Sequence, residues 1–372
     1  MLHGKYGNND RKEKMILLNC KLNEFCNKTS GRKIICFGAG TAGQLFVERL
    51  EKGVADRILF FLDNDKEKWG KNIEVKGHTY LIQSPDVLDE NRFKNAVILI
   101  TSRFWDQIHA QLKEMPQIQN TECYVYLLMK AVGSGEKYVI PQGPAKIPKK
   151  IHYCWFGGST MSENEIRCME SWKKFCPDYE IIRWDESNYD CRKTRYLKEV
   201  YDYGHYSAVS SYARFEILNE TGGIYLDTDV EIVKNIDELL RLQAFMGFEV
   251  TDAVNTGHGF GTVKGNRIYK EIIDYYDSMS HYNEKGEFRY TCCPVITTEI
   301  LKKHGLIANG RLQQVENITI FPNEYFDPVM QIPVENTYSV HRYSSLWSLK
   351  GMDMAKIWAD QRAYWEQLNA GK

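Results

Sequence analysis

The sequence predicts an α/β protein in two parts, and three observations predict it. Short apolar runs alternate with helical patterns over residues 31–132, as in a parallel sheet covered on both faces. A glycine-rich turn follows the first of those runs. After a stretch rich in glycine, proline and lysine, residues 133–146, a second α/β pattern begins and continues over residues 147–372. A chain of 372 residues is long enough for two domains.

In chain order, residues 1–30 read as a polar lead and a helix, MILLNCKLNEFCNK. KIICF is a strand, and TAGQLFVERL after its glycine turn is a helix. ILFFLDND holds a second buried strand, NAVILITS a third and ECYVYLLM a fourth, with a helix in FWDQIHAQLKEM. The segment 133–146 reads as a linker. IHYCWF opens the second part as a strand, residues 205–220 form a helix, and GIYLDTDVEIV is again a strand.

The glycine turn, Gly38-Ala39-Gly40-Thr41-Ala42-Gly43, fits G-x-G-x-x-G between a strand and a helix. In a Rossmann-like domain Gly38 permits the tight turn and Gly40 lets the backbone approach a pyrophosphate. Gly43 lets helix and strand pack closely, while the helix N-terminus favours an anion. Asp63, about 20 residues on, stands where an acid holds a ribose hydroxyl. These residues point to a nucleotide as ligand of the first part. The alternative is a glycine loop that only shapes the turn of a domain that docks partners. Tyr126 and Lys130 have the Y-x-x-x-K spacing of some sugar epimerases, but ECYVYLLM reads as a strand and that chemistry needs one helical face. A nicotinamide-dependent sugar oxidoreductase is therefore the weakest reading.

Bulk properties exclude some classes. The formal net charge of −1 provides no global basic field for nucleic acid or anionic membrane. The 10 cysteines show no C-x-x-C pair and no zinc-ligand spacing, and read as reduced, buried thiols in a cytoplasmic protein. The start of the chain lacks the apolar core of a signal peptide, and no apolar run approaches the roughly 20 residues of a membrane span.

The chemistry lies in HYSAVSSYARFEILNETGGIYLDTDVEIV. On its helix Ser207, Ser211 and Arg214 are spaced i, i+4, i+7 and share one face. Gly222 and Gly223 end the helix and turn the chain. On a continuous strand Asp227 and Asp229 point to the same side. Two carboxylates there repel unless a divalent cation lies between them and a diphosphate, where it also neutralises charge building on a leaving group. Hard oxygen ligands suit Mg2+ or Mn2+.

This block resembles glycosyltransferase family 32, whose pattern is S-D-x-x-R in a helix followed by G-G-x-Y-x-D-x-D. Here the residues are Ser210-Ser211-Tyr212-Ala213-Arg214, then Gly222-Gly223-Ile224-Tyr225-Leu226-Asp227-Thr228-Asp229. The resemblance extends over most of 147–350 and implies a GT-A-type nucleotide-sugar-binding domain after the smaller Rossmann-like one. It implies that Trp155 stacks on the nucleotide base, that Asn255-Thr256-Gly257 lines the sugar site, and that His341 completes the metal shell. It also implies that Trp347 lies on a loop over the diphosphate. Two departures stand out: Ser211 replaces the family's Asp, and Leu346 stands where Ser precedes the loop Trp. The first part, residues 31–130, is similar to small nucleotide-binding domains attached to bacterial sugar-modifying enzymes.

The implied reaction is a retaining transfer from a nucleotide-sugar, with a UDP-sugar favoured, to a glycan or lipid-linked saccharide in bacterial surface polysaccharide synthesis. It would take place in the cytoplasm, at most peripherally at the membrane. Asp229 binds the metal directly, Asp227 contacts metal and ribose or sugar, and Arg214 steadies the donor. The competing reading is a degenerate module that binds a nucleotide-sugar without turnover, which Ser211 would mark.

Overall fold

The computed structural model describes residues 16–18, 20–50, 52–88, 92–118, 120–131, 137–282, 284–288, 291–344 and 354–369. The chain divides into two compact units, Met1–Val132 and Gly133–Lys372.

In the first unit, strand β1 (Ile16–Leu18) precedes helix α1 (Leu22–Lys28). Strand β2 (Lys33–Phe37) leads through the glycine loop into α2 (Thr41–Arg49), with the short α3 (Lys52–Ala55) before β3 (Ile58–Leu62). A hairpin of β4 (Asn72–Val75) and β5 (His78–Gln83) follows, then β6 (Ala96–Ile100), α4 (Trp105–Lys113), β7 (Glu122–Val125) and α5 (Tyr126–Ala131). The seven strands lie in the order β1-β7-β6-β2-β3-β5-β4, all pairs parallel except β4 with β5. Strand order therefore reverses at β2, and the glycine loop leaves the carboxyl end of that strand. In open parallel sheets ligand crevices form at such a reversal.

Two expectations differ from the structure, and one element was not expected. The helix expected over residues 15–28 is a strand, β1, followed by a shorter helix. The hairpin over 72–83 was not read from the sequence. The run ECYVYLLM is not one strand: β7 ends at Val125, and Tyr126 with Lys130 lies on α5. Periodicity cannot separate a short buried strand from a buried helix in eight apolar residues. The Lys130 ammonium sits 5.6 Å from the centre of the Tyr126 ring, and that ring packs edge-on to Phe46. Tyr126 is buried.

The glycines earn their places by contact. A Cβ on Gly43 would stand 2.1 Å from the Gly38 carbonyl oxygen and 3.1 Å from both Phe61 and Thr101. Overfilling a packed contact of this kind costs about 1–3 kcal/mol. Gly43→Ala is therefore expected to lower the unfolding midpoint of the first unit in a denaturant titration followed by amide exchange. Unchanged protection of β2 and β6 would show that the loop yields freely.

In the second unit, β8 (Lys150–Cys154), α6 (Glu163–Phe175), β9 (Glu180–Trp184), α7 (Arg195–Asp202) and α8 (Tyr206–Thr221) come first. Then follow β10 (Gly223–Tyr225), β11 (Val230–Ile232), β12 (Ala244–Phe248), β13 (Val254–Asn255) and β14 (Phe260–Thr262). The unit continues with α9 (Arg267–Ser278), α10 (Cys293–Lys303), β15 (Gln313–Val315), β16 (Ile318–Phe321), β17 (Ser339–His341) and α11 (Met354–Asn369). The main sheet runs β15-β16-β12-β14-β10-β8-β9, with β13 on β12. Strand β14 is antiparallel to both β10 and β12, whereas β10, β8 and β9 are mutually parallel. Strands β11 and β17 pair separately, antiparallel.

Side chains alternate between two cores. Ile224 and Phe245 enter one, while Tyr225, Ala244 and Met246 enter the other. Both faces of the sheet are thus covered, as its apolar strands require. The stretch expected as a linker belongs to this unit from residue 137 onward. Ile140 and Ile147 are buried, and the Lys146 and Ile147 amides donate to the Leu240 carbonyl at 2.7 and 3.0 Å. Among the described residues no helix is long and apolar enough to cross a membrane.

Candidate functional site

The site begins with helix α8. His205 caps its start, with its Nδ1 accepting from the Ala208 amide at 3.2 Å. Gly222, at φ +68°, ends it. Under this turn lies His152. The Trp184 indole N–H, which can only donate, reaches His152 Nδ1 at 3.1 Å, so Nε2 carries the proton and donates to the Gly222 carbonyl at 3.1 Å. Burial pushes the His152 pKa down to about 4, which keeps that neutral tautomer. A Cβ on Gly223 would lie 2.9 Å from His152 Nε2. The glycine pair is what lets β10 start directly above this ring.

Nine residues of α8 are buried, so the helix carries Arg214 inside the protein instead of on a solvated polar face. Its Nε donates to the Ser210 carbonyl at 3.1 Å and its Nη2 to Asp227 Oδ1 at 3.0 Å. The guanidinium also lies 4.7 Å from the centre of the Tyr225 ring, and the Tyr225 hydroxyl donates to the same Asp227 oxygen at 3.0 Å. Burial alone would lower the Arg214 pKa, but Asp227 and Tyr225 hold it above its ordinary value. Burial pushes Asp227 up, against the pull of Arg214. The other Asp227 oxygen lies against Gly257: a Cβ there would stand 2.3 Å away.

The expected continuous strand through Asp227 and Asp229 is not found. Strand β10 stops at Tyr225, the Val230 amide donates back to the Asp227 carbonyl at 3.1 Å, and the chain turns before β11. The alternation argument therefore does not place the two carboxylates; the turn does. Strand β11 leaves the main sheet to pair with β17, Val230 opposite His341. Helix α6 grips β11, through Trp172 Nε1 donating to the Val230 carbonyl at 2.7 Å and the Ile232 amide donating to Ser171 at 2.9 Å.

That pairing brings His341 to Asp229. His341 Nε2 lies 3.2 Å from Asp229 Oδ1, the Ser344 amide donates to Oδ2 at 2.8 Å, and the Arg342 amide donates to the Asp229 carbonyl at 2.8 Å. Burial would lower the His341 pKa, but Asp229, Asp327 and Asp227 raise it to about 9. Asp229 is 2% exposed against 20% for the Asp227 side chain, so Asp227 is the carboxylate that opens outward.

The donor set fits an oxygen-preferring divalent cation in kind: two carboxylates and an imidazole whose Nδ1 is buried without a hydrogen-bond partner. Each group is paired within the protein, however, and among the described residues no three of His, Cys, Asp and Glu converge as a metal cluster. The cation's charge would replace the His341–Asp229 pairing.

Other expected residues are placed as follows. Asn255 orders its own loop, its Oδ1 accepting from the Gly257 amide at 2.8 Å and its Nδ2 donating to Glu249 at 3.0 Å. Thr256 Oγ1 lies 3.5 Å from Arg214 Nη1 and 3.3 Å from Cys293 Sγ. Ser211 is buried, and its hydroxyl donates to the Ser207 carbonyl at 2.9 Å within the helix. Trp155 is 9% exposed with its indole N–H on the Ser159 carbonyl at 2.7 Å, which leaves little ring face for a base. Trp347 and Leu346 lie outside the described residues. In the first unit Gly38, at φ +120°, abuts Ser102, while Gly40 faces open space. Asp63 Oδ2 accepts from the Ala39 amide at 2.9 Å and from Lys68 at 3.0 Å, and its Oδ1 from the Asp65 amide at 2.9 Å, so it ties down the glycine loop.

Sequence reading missed Asp327, Tyr343 and Arg342. The Tyr343 hydroxyl donates to Asp327 Oδ2 at 2.8 Å, and its ring centre lies 4.1 Å from that of His341. Burial pushes Asp327 up to about 7. Arg342 Nε donates to Glu231 at 2.7 Å across the β11–β17 ribbon. Tyr343, Met330 and Gln331 all have φ between +49° and +57°, a strained state for such side chains. Proximity to His341 in the sequence was the one available signal, and it covers only Arg342 and Tyr343.

Residues 162–246, from α6 through the two aspartates to β12, match the family described as the glycosyltransferase sugar-binding region containing the DXD motif. The second unit thus contains a stretch similar to the DXD-containing glycosyltransferase sugar-binding region. The chain is 34% identical over 133 residues to inositol phosphoceramide mannosyltransferase 3 of Schizosaccharomyces pombe, covering 35% of this chain and 37% of that protein. It is 31% identical over 139 residues to the uncharacterized glycosyltransferase L373 of Acanthamoeba polyphaga mimivirus, covering 35% of this chain and 53% of that one. The chain thus spans 37% and 53% of the length of these two curated relatives. Among solved structures, PaToxG glycosyltransferase is similar at 22% identity and a TM-score of 0.34, over 43% of this chain and 70% of that one. The fold described above rests on this chain's own strand order.

Proposed function

We propose that this chain is a metal-dependent, retaining glycosyltransferase that moves a sugar from a nucleotide-sugar, with a UDP-sugar favoured, to a glycan or lipid-linked saccharide. The observation that carries the reading is a pair of clusters, Arg214–Tyr225–Asp227 and Asp229–His341, set two residues apart on the turn where β10 ends inside the DXD match. We assign residues 147–372 to a GT-A-type domain. We assign residues 31–132 to a Rossmann-like domain with a nucleotide at the Gly38–Gly43 loop, a reading supported by the reversal of strand order at β2.

A divalent cation held by Asp227, Asp229 and His341 would supply positive charge to the diphosphate as it leaves. The chain's own residues do the rest. Arg214, held charged and immobile by Tyr225 and Asp227, presents fixed positive charge to the donor without reorganising. Gly257 places no side chain against Asp227 Oδ2, which leaves room for a sugar hydroxyl to approach that oxygen. The β11–β17 ribbon fixes the distance between Asp229 and His341. The acceptor hydroxyl attacks the face the phosphate leaves, and the departing phosphate oxygen takes its proton, so no protein base is required. Ser211, turned into the helix backbone, leaves donor contacts to Arg214 and Asp227.

The test is hydrolysis or transfer from a panel of nucleotide-sugars, with Mn2+ and with chelator, in the presence of mixed oligosaccharides. Metal-dependent release of UDP or GDP from one donor is the expected result. Folded protein that binds a nucleotide-sugar yet releases no nucleotide with any acceptor would establish the non-catalytic module instead.

A further inference from the structure

The turn joining α7 to α8 has the sequence YDYGHY, and its aromatic rings are displayed together. Tyr203 is 57% exposed, the largest exposure of any aromatic side chain among the described residues, and it stacks flat on Phe288 at 3.8 Å and 0°. Tyr282 lies edge-on to Phe288 at 5.8 Å, and a single β-bridge between those two residues closes their loop. On the other side Tyr206 packs edge-on to Tyr201 at 5.5 Å, and the Arg192 guanidinium covers Tyr201 at 4.4 Å. Exposed aromatics that are stacked and braced are unlike scattered surface apolars, which need no explanation.

Both ends of this platform run into the site already described. Tyr206 opens α8, and Arg214 lies eight residues further along it, about 12 Å at the helical rise. The Tyr206 ring lies so close over Gly157 that a Cβ there would meet it at 2.3 Å. Gly157 follows β8, the parallel neighbour of β10, the strand that delivers Asp227. Glu186 binds both sides, accepting from the Gly157 amide at 2.7 Å and the Tyr201 hydroxyl at 3.1 Å. At the other end Phe288 precedes Cys293 by five residues, and Cys293 touches Thr256 beside Arg214.

We propose that Tyr203, Phe288, Tyr282 and Tyr206 form a subsite for the distal sugars of a neutral oligosaccharide acceptor. The proposal rests on the transferase reading above. A pyranose has an apolar C–H face and a rim of hydroxyls, and Tyr matches both with a flat apolar ring and a polar tip. Cations near the platform are paired with acids, Arg192 and Lys198 both with Asp202. The surface therefore offers ring faces more than free positive charge, which suits a neutral glycan over a phosphorylated one. The rise along α8 from Tyr206 to Arg214 exceeds the span of one sugar ring, so the platform suits the distal units of a chain of sugars.

The intact chain would be titrated with mannotetraose, maltotetraose, cellotetraose and chitotetraose, read by saturation-transfer NMR, with nucleotide release from the donor panel measured in parallel. At least one tetrasaccharide is expected to receive saturation at its ring C–H protons. Tyr203→Ala should weaken its binding tenfold or more at an unchanged thermal midpoint, and Tyr203→Trp should retain it. Saccharide binding without nucleotide release would keep the subsite and remove the transferase reading. Equal binding in Tyr203→Ala, or no signal from any of the four, would overturn the subsite. So would a Tyr203-dependent change in light scattering without saccharide binding, which would mark a protein interface.

Discussion

Asp229→Asn should abolish metal-stimulated nucleotide release, by at least about 100-fold, the scale of losing a preorganised charge at a developing anion. The variant also makes a prediction about stability that needs no substrate. In metal-free wild type, burial opposes the charged imidazole, but Asp229 foremost, with Asp327 and Asp227, raises the His341 pKa from its ordinary 6.5 to about 9. A raised folded pKa contributes stability that is fully present below pH 6.5 and is lost as pH climbs through 9. The size is on the order of 3 kcal/mol. Urea unfolding of the wild type should therefore show falling stability from pH 6.5 to 9, and Asp229→Asn should flatten that slope. Parallel pH profiles for the two proteins would show that Asp229 and His341 do not interact as described. Full activity in the variant would remove Asp229 from the mechanism.

Arg214→Met should strongly destabilise the second unit. Methionine fills the volume but strips Asp227 of its cationic partner, and breaking a buried ion pair from one side costs about 3–5 kcal/mol. Arg214→Lys should rescue little, because one ammonium cannot reproduce the fork that reaches Asp227 and Thr256 while lying over Tyr225. The diagnostic is the double variant Arg214→Met with Asp227→Asn, which removes the stranded charge. It should recover a large part of the lost stability and none of the activity. A double variant no more stable than Arg214→Met alone would locate the damage in packing.

The parts of the fold legible in the sequence were those set by local rules. Alternating apolar runs gave β2, β3 and β6, the glycine pair after α8 gave its end, and the G-x-G-x-x-G spacing gave a turn whose third glycine touches the first. What stayed hidden depended on partners far away in the chain. Nothing near residue 226 announces that β10 stops there, because β11 is drawn off by β17, some 110 residues later. Tyr126 opens a helix whose following residues, Leu127 to Ala131, are good helix formers, and the pairing of β7 with β6 ends at Val125. Asp63 has the spacing of a ribose ligand, yet three donors from its own unit claim it. Arg214 and Asp227 were readable as a pair of types at a family spacing. The contact between Gly257 and Asp227 was not, since a glycine leaves no trace of what it makes room for. Asp327 had no signal at all: a buried acid in a loop is identified by what lies around it.

The ribbon of β11 and β17 also has a consequence in time. His341 is separated from Asp229 by 112 residues, so the two meet only after most of the second unit has been synthesised and the intervening loop has closed. A nascent chain that has emerged as far as β12 already contains the helix, the glycine pair and both aspartates, but Asp229 then has neither its imidazole nor the Ser344 amide. Ribosome-bound intermediates that extend through β14 should therefore fold the sheet of β8, β10, β14 and β12 while Asp229 still lacks its partners. The stretch that carries His341 and Ser344 is therefore the part that closes the contacts around Asp229.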